Sequence, residues 1–238
     1  MAMVVFGAAG GLGCAITERL VHEFPKQQVI AISRQPTKRR IAGVQYIALD
    51  AYNEQALAQW SAEFKKTGAQ LDGVVSTIGM LHDEETSPEK QLADITADNL
   101  EKLFAVNAVA PMLILKHCQP LFDKKNEAFF VQLSAKVGSI EDNYLGGWYA
   151  YRASKAALNM LLKTASIELK RSHKKLVVAA IHPGTTDTRL SKPFQKRVPE
   201  GKLYSASLSA ERIVNVIKGL TPDKSGGLFH WDGVKLPY

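Results

Sequence analysis

The sequence predicts an α/β domain: a doubly wound, mainly parallel seven-stranded sheet with helices on both faces. Three observations predict it. Short β-branched apolar runs alternate with helical apolar patterns along the 238 residues. A glycine-rich loop, Gly7-Ala8-Ala9-Gly10-Gly11-Leu12-Gly13, joins the first such run to the first helical pattern. Polar side chains able to do chemistry fall at the carboxyl ends of the predicted strands. Alternation of this kind calls for parallel strands with helical crossovers, and right-handed crossovers put helices on both faces.

In chain order, residues 3–6 read as a strand and residues 12–24 as a helix with apolar positions at Leu12, Ala15, Ile16, Leu20 and Val21. Residues 29–32 and 44–49 are the next two strands. Asn53 then caps a helix over 53–66. Strand 74–77 follows, then a long helix over 96–121 interrupted at Pro111. Strand 128–133 leads to a helix over 149–170, strand 176–182, a helix over 209–220 and a last strand at 228–230. In such sheets ligands bind beyond the carboxyl ends of the strands. Gly7–Gly13, Ser33-Arg34, Asp50, Ser76–Gly79, Ser134 and His182-Pro183-Gly184 all fall there, which predicts a single site.

The chain is long enough for one such domain over 1–238. Apolar residues are 46% and charged residues 22%, ordinary for a globular protein. No apolar run reaches the ~18 residues of a membrane span. The first basic residue is Arg19, and the apolar start runs into the glycine loop like a core strand rather than a leader. Cys14 and Cys118 suit reduced thiols, so a cytoplasmic protein is expected. The net charge of +7 comes largely from Lys and Arg at helix ends and loops. Without a helix-turn-helix or zinc-ligand spacing it reads as solvated surface, with no nucleic-acid partner, no membrane and no metal expected.

The glycine loop is built for phosphate. Glycine permits positive φ and close backbone approach, and the helix start offers free amides and a positive dipole end. Its spacing, Gly7-x-x-x-Gly11-x-Gly13, differs from the general G-x-G-x-x-G fingerprint. Farther on, Tyr151 and Lys155 stand four residues apart on one helix, hence on one face. A cation beside a phenol favours phenolate and lowers its pKa, which suits proton transfer at neutral pH.

Together these motifs resemble the short-chain dehydrogenase/reductase family over essentially the whole chain. Asn107 in Val106-Asn107-Ala108-Val109-Ala110-Pro111, the turn His182–Thr188 and the tail Ser225–Gly233 belong to the same resemblance. The runs Gly138-Ser139-Ile140 and Gly146-Gly147-Trp148-Tyr149-Ala150-Tyr151-Arg152-Ala153-Ser154-Lys155 look like its C-factor/Sniffer-like, carbonyl-reductase branch. The fold implied is Rossmann-type. The reaction implied joins a nicotinamide cofactor to a small-molecule carbonyl or alcohol. Tyr151 would give the proton, Lys155 would lower its pKa and hold the ribose, and Asn107 would support the relay. Asn107 is equally a helix-kink residue, since Pro111 frees its carbonyl.

No acid follows the second strand, where NAD enzymes usually carry one. Ser33 and Arg34 stand there instead, and Arg binds a 2′-phosphate by charge-assisted contacts. NADP(H) is therefore expected, with Arg34 as the main reader; Lys38-Arg39-Arg40 fit a solvated loop as well. The resemblance puts Asp50 at the adenine, Gly79 at the ribose, and Pro183, Gly184, Thr186 and Thr188 at the nicotinamide and phosphates. Asp50 fits a turn cap too. The usual Asn-Asn-Ala-Gly is here Ser76-Thr77-Ile78-Gly79.

The serine that normally polarises the carbonyl is replaced: three residues before Gly138 stands Ala135. Ser134, turned by a bulge or a one-residue register shift, is the first substitute, Ser139 the second, and an unfilled position the third reading. His182 is expected to end its strand with a backbone partner. Residues 189–204 read as a substrate lid, and the resemblance implies a homodimer or homotetramer. The alternative is a weakly or non-catalytic dinucleotide-binding signalling protein like C-factor. Ala135 favours that alternative, and Tyr151, Lys155 and Asn107 favour the enzyme.

Overall fold

The computed structural model describes residues 1–238 except Pro36 and Lys38, so the Lys38 end of the basic cluster lies outside the described residues. The elements are β1 (Ala2–Phe6), α1 (Gly11–Glu23), β2 (Gln28–Ser33), β3 (Val44–Ala48), α2 (Glu54–Lys66) and β4 (Leu71–Ser76). After them come α3 (Ala97–Phe104), α4 (Ala110–Cys118), β5 (Ala128–Leu133), α5 (Tyr149–Leu169) and β6 (Leu176–His182). The chain ends with β7 (Thr185–Thr186), β8 (Leu203–Tyr204), α6 (Ala206–Lys218), β9 (Leu228–His230) and β10 (Lys235–Leu236).

Strand order in the main sheet is β10-β9-β6-β5-β4-β1-β2-β3. Its pairs are parallel except β9 with β10. The seven predicted strands are all in this 8-stranded sheet. The extra strand, β10, is two residues after a turn at Gly233, too short to show any alternation. β7 and β8 pair with each other in a separate two-stranded ribbon.

Side-chain alternation along the strands divides the core into two layers. Ala2, Val4, Phe6, Ile30, Ile32 and Phe130 pack with Leu57 and Trp60 of α2, Ile114 of α4, and Leu158 and Leu162 of α5. Met3, Val5, Val29, Ala31, Val75 and Val131 pack on the opposite face with Ile16 and Leu20 of α1 and Ile213 and Val214 of α6. All five residues of β1 are buried, as a central strand covered on both faces requires.

β1 leads across α1 to β2 on one side, while β4 lies on its other side, so the winding direction reverses between β1 and β4. The carboxyl ends of those two strands are the natural crevice of such a sheet.

Two helices differ from expectation. The long helix is broken into α3 and α4 by a π turn at Ala105–Val109, just before Pro111. Pro111 brings no amide to the preceding turn, and the chain takes up the misfit as a wider turn. α6 starts earlier than its apolar pattern, because Ser205 accepts the Leu208 amide at 3.2 Å and caps it there.

Candidate active site

The glycine loop leaves β1 at Gly7, whose φ of 80° favours glycine. A Cβ on Gly7 would lie 2.5 Å from Thr77 Oγ1, and one on Gly13 would lie 2.3 Å from the Gly7 carbonyl oxygen. The loop is thus folded tightly on itself. Thr77 Oγ1 bonds the carbonyls of Phe6 (3.0 Å) and Gly7 (3.2 Å). That hydroxyl, where the family resemblance leads one to expect Asn, ties the end of β4 to the phosphate loop. The sequence alone showed it only as a loss. α1 has no side-chain cap at Gly10, so the first amides of the helix, at Gly11, Leu12 and Gly13, are without side-chain acceptors from that cap. This is the donor set and the close-approach geometry that a pyrophosphate fits.

At the end of β2, the Ser33 hydroxyl donates to the Gln35 carbonyl at 2.7 Å, so it first serves its own turn. Arg34 is exposed, its guanidinium 4.9 Å from the centroid of the Tyr52 ring. Arg39 is drawn to Glu18 at 2.6 Å. Asp50 accepts the Tyr52 amide at 3.1 Å, the turn-capping role. Arg34 and Arg40, the latter 5.3 Å from the Tyr46 ring centroid, are therefore the cations of this edge left without a carboxylate partner among the described residues.

The opposite end of the crevice is buried. Asn107 is fully buried in the π turn. Its amide nitrogen donates to the Met80 carbonyl, and its oxygen accepts the Met80 amide, both at 2.8 Å. The same nitrogen reaches Ser154 Oγ at 3.0 Å, and that hydroxyl donates to the Tyr151 carbonyl at 2.9 Å. Asn107 thereby locks the loop after β4 to the first turns of α5. Lys155 Nζ donates to the Leu133 carbonyl at 3.2 Å and lies 5.9 Å from the Tyr151 ring centroid. A Cβ on Gly79 would come within 3.1 Å of Lys155 Nζ and 3.4 Å of Asn107 Oδ1. A side chain there would crowd the Lys155 amine, which would have to give by a few tenths of an ångström.

The electrostatics correct one expectation. Burial lowers Lys155 to about 7, and burial raises the Tyr151 phenol above its ordinary value. Desolvation penalises both charged forms and outweighs the attraction between them. In this state Tyr151 is a neutral proton donor at pH 7 rather than a phenolate.

Ser134 is a second correction. Its hydroxyl donates to Asn159 Oδ1 at 2.8 Å, two helical turns along α5 from Tyr151. Its amide still bonds the Ile181 carbonyl, so the ladder and its alternation continue through this residue without the bulge that would turn it. Ala135 packs with Tyr151 instead. Ser139 is buried, and its oxygen accepts the Asp142 amide at 3.2 Å.

Around the phenol the walls are apolar. Leu81, Leu103, Ala135 and Ala150 cluster with Tyr151, flanked by Met80, Val137, Trp148 and Phe194. The Trp148 ring lies 6.2 Å from Tyr151 and 5.1 Å from Phe194, between centroids. Phe194 belongs to the 189–204 segment, which carries a 3₁₀ turn at Lys192–Arg197 and ends in β8.

Of the loop after β6, Gly184 has φ 74° and a Cβ there would meet Trp231 at 2.9 Å and Tyr204 at 3.0 Å. The Thr186 hydroxyl is buried against that of Ser209 at 2.8 Å. Thr188 does reach that loop: a Cβ on Gly11 would lie 3.6 Å from its methyl. His182 Nδ1 has no hydrogen-bond partner among the described residues, against the expected backbone contact. The ring sits 5.6 Å from that of His230, and burial first, then His230 and Lys136, push it down to about 3. It stays neutral. Cys118 is fully buried, and burial raises its thiol, so it is unreactive packing. Among the described residues no group of His, Cys, Asp and Glu could hold a metal ion, and no helix is long and apolar enough to cross a membrane.

A family model described as short chain dehydrogenase matches residues 1–199. A 1-hydroxy-2-glutathionyl-2-methyl-3-butene dehydrogenase from Rhodococcus sp. (strain AD45) is 26% identical over 237 residues, 99% of each chain. C-signal of Myxococcus xanthus is 30% identical over 147 residues, 62% of this chain and 83% of that one. The crystal structure of NADPH-bound carbonyl reductase from chicken fatty liver matches with a TM-score of 0.86 at 21% identity, covering 100% of this chain and 98% of the other.

Proposed function

Because the chain belongs to the short chain dehydrogenase family, we propose that it is an NADP(H)-dependent oxidoreductase interconverting an apolar carbonyl compound and its alcohol. One observation carries the reading. The phosphate-type glycine loop follows β1, and the Tyr151–Lys155–Asn107 group gathers beside the ends of β4 and β5, where Asn107 bonds Met80, Lys155 bonds Leu133 and Gly79 lies against both. When bound, the nicotinamide supplies or accepts the hydride. Amides at Gly11, Leu12 and Gly13 hold the pyrophosphate, with Thr188 beside them. Arg34 takes the 2′-phosphate, with Ser33 and Asp50 shaping that edge. The carbonyl-reductase structure with NADPH is consistent with this choice of cofactor.

Tyr151 donates its phenolic proton to the oxygen that gains charge, and recovers it in the reverse direction. Lys155 would hold the ribose at Gly79; hydrogen bonds donated there would favour its charged form and help the phenol release its proton. Asn107 positions the Met80 segment and, through Ser154, the start of α5. Pro183, Gly184 and Thr186 shape the wall opposite, Thr186 through its bond to Ser209. Met80, Leu81, Val137, Trp148 and Phe194 exclude water and select an apolar carbonyl.

We read 1–238 as one catalytic unit in the cytoplasm, with 189–204 as lid. Exposed Met160, Leu161 and Ile167 on α5 support assembly as a homodimer or homotetramer.

The test is NADPH oxidation across aldehydes, ketones and quinones. Turnover is expected, abolished or nearly so by Tyr151→Phe. Arg34→Ala is expected to weaken NADPH about 10- to 100-fold, the worth of a charge-assisted contact, with NADH unchanged. NADPH binding without turnover of any substrate would overturn the enzyme reading, and tighter NADH binding would overturn the cofactor reading.

A further inference from the structure

We propose that Glu89 is a positioning residue for proton transfer, acting as a remote cap that sets the start of α5 and the Trp148 ring over Tyr151. This rests on the role given to Tyr151 above. α5 has no cap of its own: Trp148 occupies the cap position, and its side chain accepts no amide. Trp148 is also the one residue other than glycine with positive φ among the described residues, at φ 53° and ψ 45°. Gly146 and Gly147 precede it at φ 64° and 65°, so three left-handed residues in succession deliver the chain into the helix. A bulky aromatic holds this conformation only where its surroundings impose it.

Glu89 imposes it from sixty residues upstream. Its backbone carbonyl accepts the Trp148 amide at 2.6 Å. Its carboxylate accepts the Ala150 amide at 3.2 Å through Oε2, and the Asn99 side-chain amide through Oε1. Glu89 is 2% exposed. Arg152 holds the other side of the turn, its Nε donating to the Gly147 carbonyl at 3.0 Å.

The consequence is geometric. An anion at a helix start satisfies an amide that would be orphaned and favours the positive end of the dipole. Here that amide lies one residue before Tyr151, and Trp148 lies three before it. Asn99 belongs to α3, which continues through the π turn carrying Asn107. Glu89 therefore binds together the two helices that carry the proton donor and its support. The loop 77–96 gives no periodic signal, so the residue passes unnoticed in the sequence.

The experiment compares Glu89→Ala, Glu89→Gln and Asn99→Ala with the wild type in steady-state carbonyl reduction, NADPH titration and amide exchange of residues 146–152. Glu89→Ala is expected to lower kcat at least tenfold while the NADPH Kd stays within threefold, with faster exchange at the start of α5. Glu89→Gln should restore kcat to within about threefold, since its amide oxygen accepts from Ala150 and its nitrogen donates to a flipped Asn99. Asn99→Ala keeps the Thr96 cap of α3 and should lose kcat to a smaller degree. If Glu89→Ala does not fold, Asn99→Ala against Glu89→Gln decides. Unchanged kcat in Glu89→Ala, or in Asn99→Ala where that variant decides, overturns the proposal. So does a Gln variant as impaired as Ala. A wild type that reduces no carbonyl instead overturns the parent reading.

Discussion

Ala135 stands where the family resemblance implies a serine. It packs on Tyr151, while Ser134, one position earlier, spends its hydroxyl on Asn159. The phenol therefore has an apolar surround without a hydroxyl on the β5 side. An oxyanion donor is worth about 10²–10³ in rate. Ala135→Ser should accordingly raise kcat for a simple ketone at least about tenfold, towards that range. Steady-state reduction rates check this, and an unchanged rate would mean that another donor already serves the carbonyl. The sequence reveals the vacancy, because the count back from Gly138 ends on alanine. It does not reveal which serine replaces it, since that depends on whether the strand stays regular past Leu133. Nor does the i, i+4 spacing of Tyr151 and Lys155 reveal their ionisation, because burial acts from residues distant in sequence.

At the scale of elements, the π turn at Ala105–Val109 has most influence on the site. It turns Asn107 inward, where one side chain satisfies both backbone groups of Met80. Asn107→Ala would leave that N–H and C=O, both half-buried, without their partner. Each such group costs about 1–3 kcal/mol, so a loss of about 2–4 kcal/mol is expected in urea unfolding. A loss below about 1 kcal/mol would show that the Met80 segment relaxes onto other partners. The break is half legible. Pro111 announces that a helix over 96–121 is interrupted, but the choice of a wide turn over a kink belongs to packing against α5. The start of α5 is less legible still: Gly146-Gly147 signals a turn, while Trp148 in the left-handed region contradicts local preference and follows from Glu89.

For the whole molecule, burying Lys155 has a consequence for stability. Burial lowers its pKa to about 7 in the folded chain, from an ordinary value of 10.5. Between these, the unfolded chain holds a proton that the folded chain does not. Stability from this group thus rises with pH across that window, is complete above the unfolded value, and is lost as pH falls through 7. Chemical denaturation of the wild type and Lys155→Met from pH 6 to 10 checks it. The wild type should gain stability relative to the variant as pH rises, and a constant difference would refute desolvation of Lys155. By itself the sequence determined the wound α/β sheet, the phosphate loop, the family resemblance and the crevice, because hydrophobic period, glycine spacing and strand ends are local in the chain. Tertiary structure alone decided that Ala135 rather than Ser134 meets the phenol, that Thr77 replaces a lost amide by tying β4 to the glycine loop, and that Glu89 caps a helix sixty residues away. Each of these is a contact between segments distant in the chain, and its partner is chosen by packing rather than by pattern.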